Sequence, residues 1–392
     1  MYFFKKIFFN TISLLNKIIK KKNIIIFTSF PDASENSFAV FDYLTKKEKY
    51  KKYLMVWLIN DYNKINKIKN NTFKLYSNLN TKYIKRNSFL GLYYYFRSKY
   101  IFCTHGIFSG VGLSKGQVKV NLWHGMPLKR IGLLDNKKKE EIATSNYMVA
   151  TSNIFVDLLA KAFGMGRNNI LNIGQPRNDL LFKTDNSLRK IGIDKEQYNK
   201  VFLWMPTYRV SIIGDIRTDG KIKGHGLPLL TKEEIIKLNN LLYNTKCLFV
   251  IKLHPMDEIT AKYFKNLSNM IFIDDEILID SNVQLYSLIG ESDVLLTDYS
   301  SVYIDYLILN RPIGFIIDDF EEYKNSRGFV FDKPDDWMPG EKIRTFEELK
   351  KFILDIKNGI DKYREIRKEV NKKVNKFKDD KSSERLIEFL NL

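Results

Sequence analysis

Short, nearly continuous apolar runs alternate with longer segments of helical periodicity along most of this chain. Such runs are typical of strands covered on both faces, and their alternation with helices favours parallel sheets built from βαβ units. The sequence therefore predicts an α/β fold with two Rossmann-like sheets, one from each half, facing a cleft. The predicted strands are Asn23–Thr28, Tyr53–Ile59, Lys99–Cys103, Gln117–Trp123 and Tyr147–Thr151, then Lys200–Met205, Cys247–Leu253, Met270–Ile273, Val294–Thr297 and Pro312–Ile317.

The length of 392 residues exceeds what one hydrophobic core comfortably accommodates, so two domains are expected. The polar segment 183–197 precedes a new predicted strand and places the boundary there. We predict a basic amphipathic helix over residues 1–22, a first domain over 23–185, and a second domain with terminal helices over 186–392. The segment 214–228 holds four glycines and few apolar residues, which predicts a long loop beside the cleft.

The chain is strongly basic, with 64 Lys and Arg against 45 Asp and Glu, a formal charge of +19. That charge favours an acidic partner, such as nucleic acid, anionic lipid or a phosphorylated substrate. Most aromatic residues fall inside apolar runs and no nucleic-acid recognition motif is present, so we expect no nucleic-acid partner. Cys103 and Cys247 also lie in apolar runs, which predicts buried free thiols and a reducing cytoplasm.

The N-terminal segment is apolar but interrupted by lysines, and no stretch of the sequence has the length and apolarity of a spanning helix. Its apolar side chains fall largely on one helical stripe, with lysines beside and opposite it. This pattern predicts a helix lying in an anionic membrane interface, and a peripheral protein on the cytoplasmic face of the cell membrane. A helix packed on the body of the protein is the alternative.

The segment Asn121–Arg130 lies where a predicted strand ends and a turn begins. Ligands of open parallel sheets bind at the carboxyl ends of strands, so His124 stands where a substrate is expected. A histidine there can accept a proton from a hydroxyl near neutral pH, while Lys129 and Arg130 supply positive charge for phosphate or acceptor. A histidine that only bonds within the turn is the alternative. His105, after the preceding strand, is a weaker candidate.

Two segments of the second half also follow predicted strands. Lys252 and His254 are suited to hold a phosphate or to stabilise charge on a departing one. Thr207 and Arg209 follow the strand before them, and an arginine can grip phosphate oxygens with two hydrogen bonds. A structural turn histidine and a surface arginine are the alternatives.

The segment 292–309 runs from a predicted strand into a helix. Ser300 or Ser301 can cap that helix, and its backbone amides, the two hydroxyls and the helix dipole together predict a phosphate site, with Asp298 at the strand end. An ordinary capped helix is the alternative. Farther along, Arg327 adds a cation beside the same cleft.

Other signals are missing from the sequence. No P-loop pattern is present, and the histidines and cysteines lack zinc-ligand spacing. We therefore expect no required cofactor and no protein metal site. The acidic run Asp274–Glu276 could hold a divalent ion, although an exposed acidic loop is the commoner case, so the need for a metal stays open.

Taken in order, these segments resemble the CDP-glycerol glycerophosphotransferase family of teichoic-acid synthases. The resemblance covers residues 24–340, and the block from Asp293 to Tyr303 is its most specific part. The matching pieces are Asn121–Gly132, Gly174–Asp179, Met205–Arg209, Lys252–Pro255, Leu285–Asp305, Pro312–Gly328 and Phe329–Pro339.

The resemblance implies a GT-B-type fold and transfer of glycerol phosphate from CDP-glycerol to a hydroxyl, with release of CMP. The acceptor would be a lipid-linked saccharide or a growing poly(polyol phosphate) chain of teichoic-acid or capsule type. His124 is similar to the family's candidate general base and His254 to its phosphoryl-steadying partner, while Thr207, Arg209, Ser300 and Ser301 correspond to its diphosphate-binding residues. The sequence leaves open another CDP-polyol such as ribitol, and a nucleotide-sugar glycosyltransferase on the same fold.

Overall fold

Two parallel sheets form the framework of the protein, as the sequence predicts. The computed structural model describes residues 2–77, 79–135, 144–206, 227–252, 267–326 and 328–392, with side chains from residue 9 onward except that of Ser326. The first sheet has seven strands in the order β3-β2-β1-β4-β5-β6-β7. They are β1 Ile24–Thr28, β2 Leu54–Ile59, β3 Thr81–Lys85, β4 Tyr100–Cys103, β5 Val118–Asn121, β6 Tyr147–Ala150 and β7 Ile170–Asn172.

The second sheet has six strands in the order β10-β9-β8-β11-β12-β13. They are β8 Lys200–Trp204, β9 Cys247–Lys252, β10 Met270–Ile273, β11 Val294–Thr297, β12 Ile313–Ile316 and β13 Glu341–Ile343. All ten predicted strands are present. The three that the sequence analysis missed, β3, β7 and β13, are edge strands, which are less apolar or only three residues long. The domain boundary near residue 185 falls between the two sheets and stays a prediction.

Helices connect and cover the strands. They are α1 Tyr2–Ile18, α2 Glu35–Thr45, α3 Ile65–Asn70, α4 Phe89–Arg97, α5 Asn153–Phe163, α6 Ser187–Lys190, α7 Lys232–Thr245, α8 Asp275–Asp280, α9 Leu285–Glu291, α10 Val302–Tyr306, α11 Phe320–Ser326, α12 Phe346–Lys357, α13 Arg364–Val374 and α14 Ser382–Phe389. Local sequence defines several ends, since Thr231 and Glu234 form a capping box on α7 and Gly164 ends α5 in the left-handed conformation.

One apolar cluster contains strand residues of both sheets, so the two halves share a core. The end of the chain returns to the first half. The Thr151 hydroxyl donates to the Val374 carbonyl at 2.6 Å, and the Ser382 amide donates to the Asp179 carboxylate at 2.8 Å. Both cysteines are buried and free, as predicted.

The N-terminal helix α1 packs on the first half through only part of its surface. Phe9 and Ile12 pack against the cluster that includes α4, and the buried Asn16 amide donates to the Gly112 carbonyl and to Gln117, each at 2.9 Å. Leu14, Leu15 and Ile18 are exposed instead. The apolar residues therefore divide between two faces, whereas the sequence analysis placed them largely on one stripe. Among the described helices, none has the length and apolar content needed to cross a membrane.

Candidate active site

The order of the strands creates one topological switch point in each sheet, between β1 and β4 and between β8 and β11. Loops on either side of a switch point turn in opposite directions and leave a crevice where ligands bind. In the first sheet the flanking loops begin at Ser29 and Thr104, and the next strand, β5, leads to His124. In the second sheet the β11 loop carries Asp298, Ser300 and Ser301.

The turn that carries His124 has an unusual backbone. Trp123 has a φ of 57° and Gly125 a φ of 136°. A bulky residue rarely adopts the left-handed region, and such strain persists only where the surrounding contacts enforce it. Here the Asn36 side-chain amide donates to the carbonyls of Leu122 and Trp123 at 3.3 and 3.0 Å. The turn is therefore held by hydrogen bonds from a residue of α2, outside the turn itself.

The hydrogen bond to Thr104 defines which nitrogen of His124 can act as a base. His124 Nδ1 lies 3.3 Å from the Thr104 carbonyl oxygen, and since a carbonyl only accepts, Nδ1 carries the proton. That leaves Nε2 with its lone pair. Burial lowers the pKa of His124 to about 3, with a further contribution from His105, so the imidazole is neutral at physiological pH.

His105 stacks on His124, with ring centroids 4.3 Å apart and planes 4° from parallel. Burial, followed by the charge of Arg86, lowers the pKa of His105 to about 4. Arg86 lies at the end of β3 and donates to Asn60 Oδ1 at 2.7 Å and to the Gly106 carbonyl. The crevice of the first sheet thus presents two neutral imidazoles and a cation.

The buried histidines predict a specific dependence of stability on pH. The unfolded chain gains a proton on each histidine near pH 6.5, whereas folded His105 stays neutral until about pH 4, so stability is lost as pH falls. Between pH 7 and 5.5 this amounts to about 1 kcal/mol per histidine. Urea unfolding of His105→Asn should show a correspondingly smaller loss over that interval than the wild type. Identical losses in the two proteins would contradict the assignment.

The turn after β11 brings the second half against the His124 turn. A Cβ atom on Gly125 would lie 2.1 Å from Ser301 Oγ, so the serine hydroxyl occupies the space that a side chain would need. Ser301 makes no capping hydrogen bond to α10, and the Val302 amide reaches Ser300 Oγ only at 3.5 Å. Of the two predicted caps, Ser300 thus accepts a long hydrogen bond from the first residue of α10, a helix of only five residues, whereas the Ser301 hydroxyl lies against Gly125 of the other half. Asp298 is buried at the strand end.

Lys129 and Arg130 lie on a segment that pairs across the two halves. The Val330 amide donates to the Leu128 carbonyl at 2.9 Å, and Lys129 forms an antiparallel bridge with Phe329. The Lys129 ammonium lies 5.8 Å from the centre of the Tyr323 ring, and the Arg130 guanidinium donates to the Phe329 carbonyl at 3.3 Å. The two cations are thus part of the contact between the halves.

Lys252 ends β9 with its side chain largely buried, and its ammonium pairs with Asp275 at 2.8 Å. The neighbouring acids are also engaged, since Asp274 accepts from the Ile277 amide and Glu276 pairs with Lys64. In the described part of the chain no three acidic, histidine or cysteine side chains form a group suited to a metal.

Four predicted site residues lie outside the described residues: Thr207, Arg209, His254 and Arg327. The same holds for most of the predicted loop 214–228. The donor-binding role of Thr207 and Arg209, the catalytic role of His254 and the phosphate or acceptor contact of Arg327 stay predictions.

The sequence analysis missed an ion cluster under the His124 turn. Arg177 lies between Glu35 of the first half and Asp305 of the second. These residues are far apart in sequence and follow no recognised spacing. The only signal was that Arg177 and Asp305 fall inside segments that carry the family resemblance.

Two Rossmann-like sheets, with the turn that carries His124 in one against the serine-bearing turn of the other, define the GT-B type of fold. The family model for CDP-glycerol:poly(glycerophosphate) glycerophosphotransferase matches residues 8–392. The chain belongs to this family and is a CDP-glycerol glycerophosphotransferase, as the resemblance implied.

Individual relatives agree with this family. The chain is 26% identical over 371 residues to a teichoic acid poly(glycerol phosphate) polymerase of Bacillus spizizenii, covering 88% of this chain and 86% of the relative. It is 29% identical over 313 residues to a teichoic acid glycerol-phosphate primase of Bacillus subtilis, covering 76% and 75%. The fold matches that of the wall teichoic acid polymerase TagF with a TM-score of 0.75 at 22% identity, covering 99% and 93% of the two chains.

Proposed function

We propose that this enzyme extends a teichoic-acid-type polymer by transferring glycerol phosphate to a hydroxyl of a lipid-linked saccharide or of the growing chain. The contact that carries the proposal is the approach of Ser301 to Gly125, the residue after His124. Because Ser301 belongs to the turn after β11, this approach supports a donor site at that turn, next to the turn that carries His124.

In the proposed reaction, the acceptor hydroxyl oxygen attacks the phosphorus that bears glycerol. The bond between that phosphorus and the bridging oxygen breaks, CMP departs with the bridging oxygen, and the hydroxyl proton passes to His124 Nε2. His124 is neutral and carries its proton on Nδ1, so Nε2 is free to accept the hydroxyl proton. The Ser300 and Ser301 hydroxyls, with Thr207, Arg209, Lys252 and His254, would bind the diphosphate and the charge that develops on CMP.

The test is release of CMP from CDP-glycerol by the full chain in the presence of a lipid-linked saccharide. The expected result is CMP release that depends on acceptor, with each acceptor product heavier by whole glycerol phosphate units. Relatives named as ribitol-phosphate polymerases match at 24% and 26% identity, so CDP-ribitol belongs in the donor panel with UDP- and GDP-sugars. Turnover with a sugar nucleotide and none with any CDP-polyol would contradict the proposal. Parallel reactions in EDTA and in added Mg²⁺ test the need for a divalent ion.

We infer that helix α1 holds the enzyme at the cytoplasmic face of the membrane. Leu14, Leu15 and Ile18 are 59%, 48% and 72% exposed, although they are apolar. Exposed lysines accompany them at positions 17, 20 and 22. An exposed apolar strip with lysines around it is suited to an anionic lipid surface. Burial of the apolar side chains and electrostatic attraction both contribute to binding there.

Vesicle binding tests this surface. Leu15→Ser combined with Ile18→Ser should weaken binding to phosphatidylglycerol vesicles about tenfold, because two apolar side chains leave the interface. Added salt should weaken binding of the wild type as well. The matched control is Ile236→Ser with Tyr243→Ser, which removes equally exposed apolar side chains from α7. Equal losses in both variants would show that α1 is not the contact.

A further inference from the structure

A buried ion cluster joins the two halves of the protein beneath the His124 turn. Its centre is Arg177, which lies in the 3-10 helix Pro176–Phe182. The Arg177 side chain is only 4% exposed. Its guanidinium pairs with Glu35, the first residue of α2, and with Asp305 of α10, where Nη2 lies 2.7 Å from Oδ2. The two carboxylates are 12% and 0% exposed.

The Asp305 carboxylate has a complete set of donors. Besides Arg177, it accepts from the Tyr286 hydroxyl at 2.7 Å and from the Asn178 amide at 3.0 Å. The guanidinium also lies 4.5 Å from the centre of the Tyr286 ring. Burial by itself would lower the pKa of Arg177, but Glu35, Tyr286 and Asp305 raise it above its ordinary value, so the cation is permanent. Removing the cation would leave two buried carboxylates without their partner.

The same guanidinium reaches the turn that carries the imidazole. Arg177 Nη1 donates to the main-chain carbonyl of His124 at 3.1 Å. The Arg177 amide donates to Asn36 Oδ1 at 2.9 Å, while the Asn36 amide group holds the carbonyls of Leu122 and Trp123. Two linked side chains thus hold three successive carbonyl groups. That arrangement supplies the outside support that the left-handed Trp123 requires.

We propose that Arg177 is a positioning residue that sets the His124 turn against the donor-binding turn of the second half. Its Asp305 partner lies four residues after Ser301, in the short helix that begins at that turn, and its His124 partner lies beside Gly125. One side chain therefore controls the separation between the proton acceptor and the donor site. The inference rests on the proposed role of His124.

The test compares Arg177→Ala with the alanine variant of a second buried, ion-paired arginine, Arg367. Arg367 is 1% exposed and donates to Asp361 Oδ1 at 2.8 Å, and its bonding partners Asp361 and Asn310 are not among the residues proposed for the site. Both alanine variants of the full chain should lower the thermal unfolding midpoint. Arg177→Ala should also lower kcat about 100-fold per folded molecule, with the donor dissociation constant within about threefold of wild type. Arg367→Ala should keep kcat within about threefold.

Chemical rescue separates positioning from mere packing. Methylguanidine should restore kcat of Arg177→Ala about tenfold or more, because it can refill the site between the carboxylates and the His124 carbonyl. If Arg177→Ala does not fold, Arg177→Lys takes its place, and it should lose about tenfold in kcat because one ammonium cannot bond all three partners. Wild-type kcat per folded molecule in the alanine variant, or in the lysine variant where that replaces it, would overturn the proposal.

Failure of the proposed function gives a different result. Wild-type turnover in His124→Ala would remove the group that Arg177 is proposed to position and would overturn both ideas. An inactive His124→Ala together with normal turnover in Arg177→Ala would overturn only the positioning role.

Discussion

Replacement of His124 by alanine should lower kcat about 1,000-fold while donor binding stays within about threefold of wild type. General-base catalysis typically contributes 10²–10⁴-fold. Among the described residues, only His124 has an imidazole whose Nδ1 is held by a backbone carbonyl, which leaves Nε2 free to accept a proton. The donor is proposed to bind the opposite turn, so the truncation should leave its site intact. Steady-state CMP release and calorimetric titration with CDP-glycerol measure the two quantities.

His124→Asn is the companion variant, because its side-chain amide can still donate to the Thr104 carbonyl but cannot take up a proton. It should be as inactive as His124→Ala and closer to wild type in thermal stability. Recovery of substantial turnover in the asparagine variant would mean that His124 acts by shaping the turn and not as a base.

The second large effect is expected at Gly125. A Cβ atom there would meet Ser301 Oγ at 2.1 Å, and the φ of 136° is strained for any other residue. Gly125→Ala should therefore cost about 2–5 kcal/mol of stability. It should also reduce kcat about 100-fold, because the clash displaces the His124 turn from the donor turn.

Gly116→Ala is the matched control. Gly116 has a φ of 85° but nothing within 4 Å of the added carbon, so this variant carries only the backbone strain of about 1–2 kcal/mol and should keep normal turnover. The double variant Gly125→Ala with Ser301→Gly should regain about 1 kcal/mol relative to Gly125→Ala alone, because the clashing hydroxyl is gone. Additive losses of stability in this double-mutant cycle would show that Gly125 and Ser301 are not in contact.

The strand pattern and the strand-end motifs could be predicted because they depend on local sequence. Buried strands such as β1 and β9 are apolar up to their last residue, and this leaves a continuous run in the sequence. His124 could be proposed because it follows β5 at the end where ligands bind. The edge strand β13 was not predicted because it has only three residues, two of them charged, and so contains no apolar run.

The functional use of side chains near the interface could not be predicted in the same way. The hydroxyl of Ser301 looked like a helix cap from its sequence position, yet it contacts Gly125 of the other half. The apolar residues of α1 looked like one stripe, yet Phe9 and Ile12 face the protein while Leu15 and Ile18 face outward. In each case a distant segment decides the environment.

The sequence by itself determined the α/β class, ten of the thirteen strands and the family, because apolar periodicity and ordered motifs are properties of neighbouring residues. Only the tertiary structure decided that Glu35, Arg177 and Asp305 meet beneath the His124 turn. Their pairing depends on how the two sheets approach each other. That approach follows from packing across the whole core, which no local spacing in the sequence encodes.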